Sequence, residues 1–121
     1  MIGSIKIKRI DDPISDADGI RVLVDRLWPR GLTKREARVG LWAKDLAPSD
    51  ELRKRYGHDP ELWTEFEERY FGELDRNPRA VQELLSAIPH STVTFLFSSR
   101  EAEFNNAVAL KNYLEARELL D

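Results

Sequence analysis

Ile5 and Ile7 alternate with Lys6 and Lys8 across residues 4–10, SIKIKRI. That period of two predicts a strand with one face buried and the other in water, which suits an outer position in a sheet. The next apolar run, Ile20-Arg21-Val22-Leu23-Val24, is branched and apolar almost throughout. It fits an interior strand covered on both faces. Between the two, Asp11 to Gly19 carries Pro13, Ser15, Asp12, Asp16, Asp18 and a terminal Asp-Gly, all residues of turns and loops. Thr92 to Phe97, TVTFLF, is dense in β-branched and aromatic residues and predicts a central strand.

Spacings of three and four take over in the middle of the chain. Ser49 after Pro48 predicts the cap of a short helix ending at Tyr56, with Gly57 as its stop. Asp59-Pro60 supplies an N-cap and a first-turn proline for a longer helix whose stripe is Leu62, Trp63, Phe66, Tyr70 and Leu74. Asn77-Pro78 repeats that signal for a helix with Val81, Leu84, Leu85 and Ile88 inward and Pro89 as its stop. Ser98 and Glu101 have the spacing of a capping box, which predicts a helix from there to about Leu119 with Phe104, Val108 and Leu114 on its inner face. Residues 32–47 fit either a short helix or an irregular segment.

These elements sum to a small, mainly parallel α/β sheet packed with helices, in a single domain over residues 1–121. Composition narrows the setting. No apolar run approaches the roughly 18 residues of a membrane span, and the first residues do not read as a signal peptide, so no membrane partner is expected. With no cysteine there is no disulfide, thiolate metal site or thiol nucleophile, which suits a cytoplasmic protein. The net charge of −3 conceals an asymmetry. Residues 1–58 carry 13 Lys or Arg against 9 Asp or Glu, whereas residues 59–121 carry 6 against 13. The basic half points to a small anionic ligand, and the acidic half argues against a surface built for nucleic acid.

Candidate chemistry concentrates where charge follows the second strand: Val24-Asp25-Arg26-Leu27-Trp28-Pro29-Arg30-Gly31. Ligands of open α/β sheets collect at the carboxyl ends of strands. If the strands at 20–24 and 92–97 run side by side, Ser98, Ser99 and Arg100 reach the same edge. Arg26, Arg30, Arg100 and a helix start at Ser99 would then form a seat for a phosphate or carboxylate, with Arg30 the strongest single candidate. Structural readings stand beside these. Asp25 and Arg26 also read as a strand-end ion pair, Ser98 as a cap, and Trp28, Trp42 and Trp63 as core or rim packing. His58, beside Asp59 at a helix start, is a candidate acid or base with Asp25 as its counterpart. His58 and His90 lack carboxylates at ligand spacing, so neither a metal nor a cofactor is expected. Gly-rich phosphate loops, nucleophile elbows and dinucleotide fingerprints are absent.

The segments IKIKRI, RVLVDRLWPRG, LAPSDELRKRYGHDPELWTEF and TFLFSSREAEFNNAVAL occur in this order over nearly the whole chain. In that order and content the chain resembles the YeaO-like branch of a bacterial domain family of unknown function. The resemblance implies a small cytoplasmic α/β protein and motif positions at Asp25, Arg26, Trp28, Pro29, Arg30, Gly31, Ser49, Arg53, His58, Asp59 and Asn105. Arg53 and Asn105 join the ligand-binding candidates on that basis. Two departures stand out. Glu101 replaces a commoner Asp, and Asn105-Asn106-Ala107 stands where the wider family often has Cys-His-Arg, so thiol chemistry of such relatives cannot operate here. The leading expectation is a domain that binds a small anionic metabolite, with no reaction specified. The alternative is an interaction or regulatory module whose WPRG loop docks a protein or nucleic acid.

Overall fold

A computed structural model describes residues 4–88 and 92–119. Its centre is a four-stranded parallel sheet in the order β1-β4-β2-β3, formed by β1 (Ser4–Arg9), β2 (Ile20–Leu23), β3 (Leu41–Trp42) and β4 (Thr92–Phe97). The half-apolar β1 lies at an edge, and the apolar β2 and β4 are interior neighbours, with Val22 opposite Phe95. Both faces of β2 are covered, because Val22 and Val24 enter one core and Leu23 the other.

The larger core lies beneath Val93, Phe95 and Phe97, against α2 (Asp50–Tyr56), α3 (Trp63–Asp75), α4 (Pro78–Ala87) and α5 (Asn106–Ala116). Phe66, Tyr70 and Leu74 form the buried stripe of α3, and Val81, Leu84 and Ile88 that of α4, with Leu85 packed half-buried beside them. On the opposite face Leu23 and Leu96 meet Ala37 from the short α1 (Lys34–Ala37), together with Trp28, Leu32, Val39 and Trp42. Residues 32–47 thus hold one helical turn, a two-residue strand and a 3-10 turn, each too short to impose a period on the sequence.

Local signals set most helix ends. Ser49 accepts the Leu52 N–H, and Gly57 closes α2 in the left-handed conformation. Asp59 accepts the Glu61 N–H and starts a 3-10 turn, Pro60–Leu62, that runs into α3. Ser49 also donates its N–H and hydroxyl to Glu73 of α3, at 2.9 and 2.5 Å. Ser49→Ala therefore removes a cap and one of its two bonds to Glu73, and its urea midpoint is expected to fall by the equivalent of about 1–2 kcal/mol. An unchanged midpoint would mean that neither the cap nor the hydroxyl's bond to Glu73 adds stability. Asn77 differs from expectation, since its amide donates to the Asp45 carbonyl and leaves α4 without a side-chain cap.

The capping box at Ser98 does not form, and α5 begins later and ends earlier than the pattern implies. The Ser98 N–H and hydroxyl both bond the Asp25 carboxylate, at 2.9 and 2.7 Å, and Glu101 turns onto the N–H groups of Glu103 and Phe104. A charged acceptor from the neighbouring strand end displaces the local partner. The helix starts instead at Asn105, whose side chain accepts from the N–H groups of Ala107 and Val108. Pro89 and His90 lie outside the described residues.

Candidate functional site

The chain leaves β2 and β4, adjacent and parallel, in different directions. After β2 it crosses to the smaller core through Trp28, Leu32 and Ala37; after β4 it leads into α5 on the larger core. A crevice opens where connections diverge in this way, at the carboxyl ends of the strands. Here it is a cleft of about 240 Å³. Asp25, Arg26 and Leu27 line it from β2, Ser98 and Ser99 from β4, and Asn105 and Asn106 from the start of α5. Arg53, Tyr56 and His58 face it from the α2 side. Tyr56 and Phe66, stacked with ring centroids 4.5 Å apart, give it an aromatic floor, and Pro48 and Leu27 add apolar wall.

Asp25 is held by three donors: the Ser98 N–H, the Ser98 hydroxyl and the Asn106 amide at 3.0 Å. The Asn106 amide also reaches the Val24 carbonyl at 2.8 Å, tying α5 to the end of β2. Arg26, half-buried, directs its guanidinium at the Ala47 and Pro48 carbonyls over 3.3–3.4 Å. Asp25 and Arg26 do not pair with each other; within the described residues each is held by neutral groups. Arg53 makes one long contact, 3.5 Å, to Asp50.

The remaining candidates are placed as follows. His58 is exposed, with φ +59 directly after Gly57 at φ +53, a double left-handed bend that turns the chain from α2 toward Asp59. Its ring packs 5.9 Å from Tyr56 and has no hydrogen-bond partner among the described residues. Asn105 is buried and fully engaged, capping α5 and donating to the Glu101 carbonyl. Ser99 accepts the Glu101 N–H at 3.2 Å. Arg30 and Arg100 are exposed and outside the cleft lining. Trp28 is also outside it, set edge-on to Trp42 at 5.4 Å and donating to the Leu32 carbonyl at 2.5 Å. Of the three guanidiniums expected to converge, the cleft therefore gathers only Arg26, and adds Arg53.

Tyr56, Phe66 and Asn106 are among the cleft residues that the sequence did not single out. The two aromatics belong to helix patterns that read simply as core. Asn106, a weak helix former in the first turn of a helix, is the one with a visible signal. Burial, with Glu101 and Asp59 nearby, raises the Tyr56 phenol to about 12, so at neutral pH it remains a donor, bonded to the Phe104 carbonyl at 2.7 Å. Among the described residues, no group of three or more His, Asp and Glu side chains is arranged to hold a metal ion, and no helix is long and apolar enough to cross a membrane.

A small parallel α/β domain with a cleft at its strand switch point is the class that this geometry defines. Residues 4–120 match the family model described as the inactive DUF488-N3 subclade, and the chain belongs to that family. It is 42% identical over 113 residues to the uncharacterized protein Rv3073c of Mycobacterium tuberculosis, covering 93% of this chain and 95% of the relative. It is 34% identical over the same length to the uncharacterized protein YeaO of Escherichia coli, covering 93% and 98%. No solved structure matches the chain.

Proposed function

We infer that the domain binds a small anionic metabolite, bearing a carboxylate or phosphate, in the cleft at the ends of β2 and β4. One observation carries this reading: the Arg26 guanidinium lines the cleft, oriented by two backbone carbonyls but neutralised by no carboxylate among the described residues. A guanidinium held in this way retains its charge and spare donors for an anion, which it can bind with two parallel hydrogen bonds. Arg53 supplies a second cation at the rim. Leu27 and Pro48 supply apolar wall above the buried Tyr56 and Phe66, the usual make-up of a small-molecule site.

Binding is favoured over turnover. Among the described residues His58 has no hydrogen-bond partner to orient it, and Asp25 is engaged by Ser98 and Asn106, so the candidate acid and base are not linked as a catalytic pair there. The description of the family as an inactive subclade points the same way. The docking alternative would need Trp28 and Arg30 presented outward together; Arg30 is exposed outside the cleft, but the Trp28 ring is turned onto Trp42. A cysteine-free chain suits a reducing, cytoplasmic setting.

Titration calorimetry with inorganic phosphate and with benzoate tests the reading. At least one of the two anions is expected to bind the natural protein, and Arg26→Gln is expected to weaken that binding at least tenfold. Arg30→Ala, altered outside the cleft, should change it less than threefold. No binding of either anion, or binding indifferent to Arg26→Gln, overturns the proposal.

A further inference from the structure

The cleft holds an uncompensated negative charge as well as a positive one. Among the described residues no basic nitrogen lies within 4.0 Å of the Asp25 carboxylate, and no carboxylate oxygen lies within 4.0 Å of the Arg26 guanidinium. Consecutive residues of opposite charge line one cleft without closing on each other. In a regular strand their side chains would point to opposite faces. Here β2 has ended at Leu23, and the irregular backbone beyond it lets both reach the cleft.

Each charge is fixed by neutral groups. Among the described residues, Asp25 Oδ2 takes the Ser98 N–H and hydroxyl, while Oδ1 takes only the Asn106 amide. A carboxylate offers about four lone-pair sites, so Oδ1 has one to spare. Arg26 uses Nε and Nη2 on the two carbonyls and leaves Nη1 without a protein partner among the described residues. Charges that are oriented but not neutralised are pre-organised for a partner of opposite sign, since the cost of ordering them has been met in folding. A bare anion would satisfy Arg26 and meet repulsion from Asp25. A ligand carrying both signs satisfies both.

Resting on the anion-binding reading above, we propose that the ligand is zwitterionic. It is a small molecule of the α-amino acid type, whose ammonium group binds Asp25 and whose anionic group binds Arg26, with an apolar body over Tyr56 and Phe66. The exposed Leu27, 65% accessible at the lip, gives that body its surface, while Tyr56 and Phe66, 5% and 3% accessible, back the cleft from beneath. Asn106 is a positioning residue, since it orients Asp25 while bonding the Val24 carbonyl.

Three probes of one shape test the assignment by calorimetry on the whole chain: L-phenylalanine, 3-phenylpropionate, which lacks the ammonium, and phenethylamine, which lacks the carboxylate. Phenylalanine is expected to bind at least tenfold more tightly than either analogue. Asp25→Asn is expected to bring the ratio of phenylalanine to phenylpropionate down to about one. Because the ratio in the natural protein decides by itself, a poorly folded variant does not rescue the idea. If phenylpropionate binds as well as phenylalanine, the ammonium assignment fails and the anion reading stands. If phenethylamine equals phenylalanine, or if neither acid binds, the zwitterion assignment falls together with the role of Arg26.

Discussion

Replacing Asp18 by alanine is expected to lower the stability of the domain by about 3–5 kcal/mol, enough to move Tm down by more than about 10 °C in a chain of this size. Asp18 is only 2% accessible and Arg21 only 4%, and their 2.6 Å ion pair lies on the β2 side of the smaller core. The Asp18 carboxylate also accepts from Lys8 at 3.0 Å and from the Ser15 N–H at 3.1 Å, while Arg21 Nε reaches the Ala37 carbonyl. Removing the carboxylate strands a buried guanidinium that already has one nitrogen without a partner. The pair also makes stability depend on pH. Burial alone would raise the Asp18 carboxyl, but the bonds from Lys8, Ser15 and Arg21 outweigh it and hold the group below its ordinary value. Its contribution is therefore present above the unfolded value, near 3.9 by the usual reference, and is lost as pH falls through the lower folded value. Urea titrations at pH 7 and pH 3 check both points. The gap between natural protein and Asp18→Ala should be wide at pH 7 and narrower at pH 3, and a gap that does not change with pH would place the effect in packing rather than charge.

Such a network was hard to see in advance, and the reason separates what the sequence discloses from what it hides. Asp18 looked like one more loop residue, because nothing local tells a solvated aspartate from one that will fold back onto Arg21 and Lys8. The apolar runs at 20–24 and 92–97 disclosed interior strands, since burial on both faces leaves no room for polar alternation. The caps at Ser49, Gly57 and Asp59 are visible because their partners lie within four residues. The capping box at Ser98 misled for the complementary reason: its actual partner, Asp25, is 73 residues away. The same distinction runs through the cleft. Asp25, Arg26 and Ser99 followed from the rule that ligands meet strand ends, and the structure does bring them to one cleft. Arg30 and Arg100 are grouped with them by sequence proximity, and three residues of irregular chain after Leu27, or one after Ser99, suffice to turn them to solvent. Tyr56 and Phe66 could not be singled out, because an aromatic beneath a cleft and an aromatic beneath a helix have the same helical spacing.

Gly19→Ala is expected to be as damaging as the loss of Asp18, for a reason carried by the backbone. Gly19 has φ +65 and ψ −137, a region that residues with a Cβ avoid. A Cβ built there would lie 2.1 Å from the Thr92 carbonyl oxygen and 2.7 Å from its carbon, so main chain must move. Relief cannot come from a side-chain rotamer. Either the turn at 16–18 withdraws, breaking the 2.7 Å bond from the Thr94 hydroxyl to the Asp18 carbonyl and disturbing the Asp18–Arg21 pair, or the start of β4 shifts against β2. Strain of about 1–3 kcal/mol and overlap of a similar size together predict a loss of roughly 3 kcal/mol or more. Gly31→Ala supplies the control: Gly31 also has a positive φ, +76, but a Cβ there meets nothing within 4 Å. It should lose only the conformational part, about 1 kcal/mol. Equal losses in the two variants would show that the approach to Thr92 is not limiting. Because Gly19 and Asp18 act on the same turn, the double variant Asp18→Ala/Gly19→Ala should lose less than the two single losses combined, the non-additivity expected of neighbours that share one structural unit.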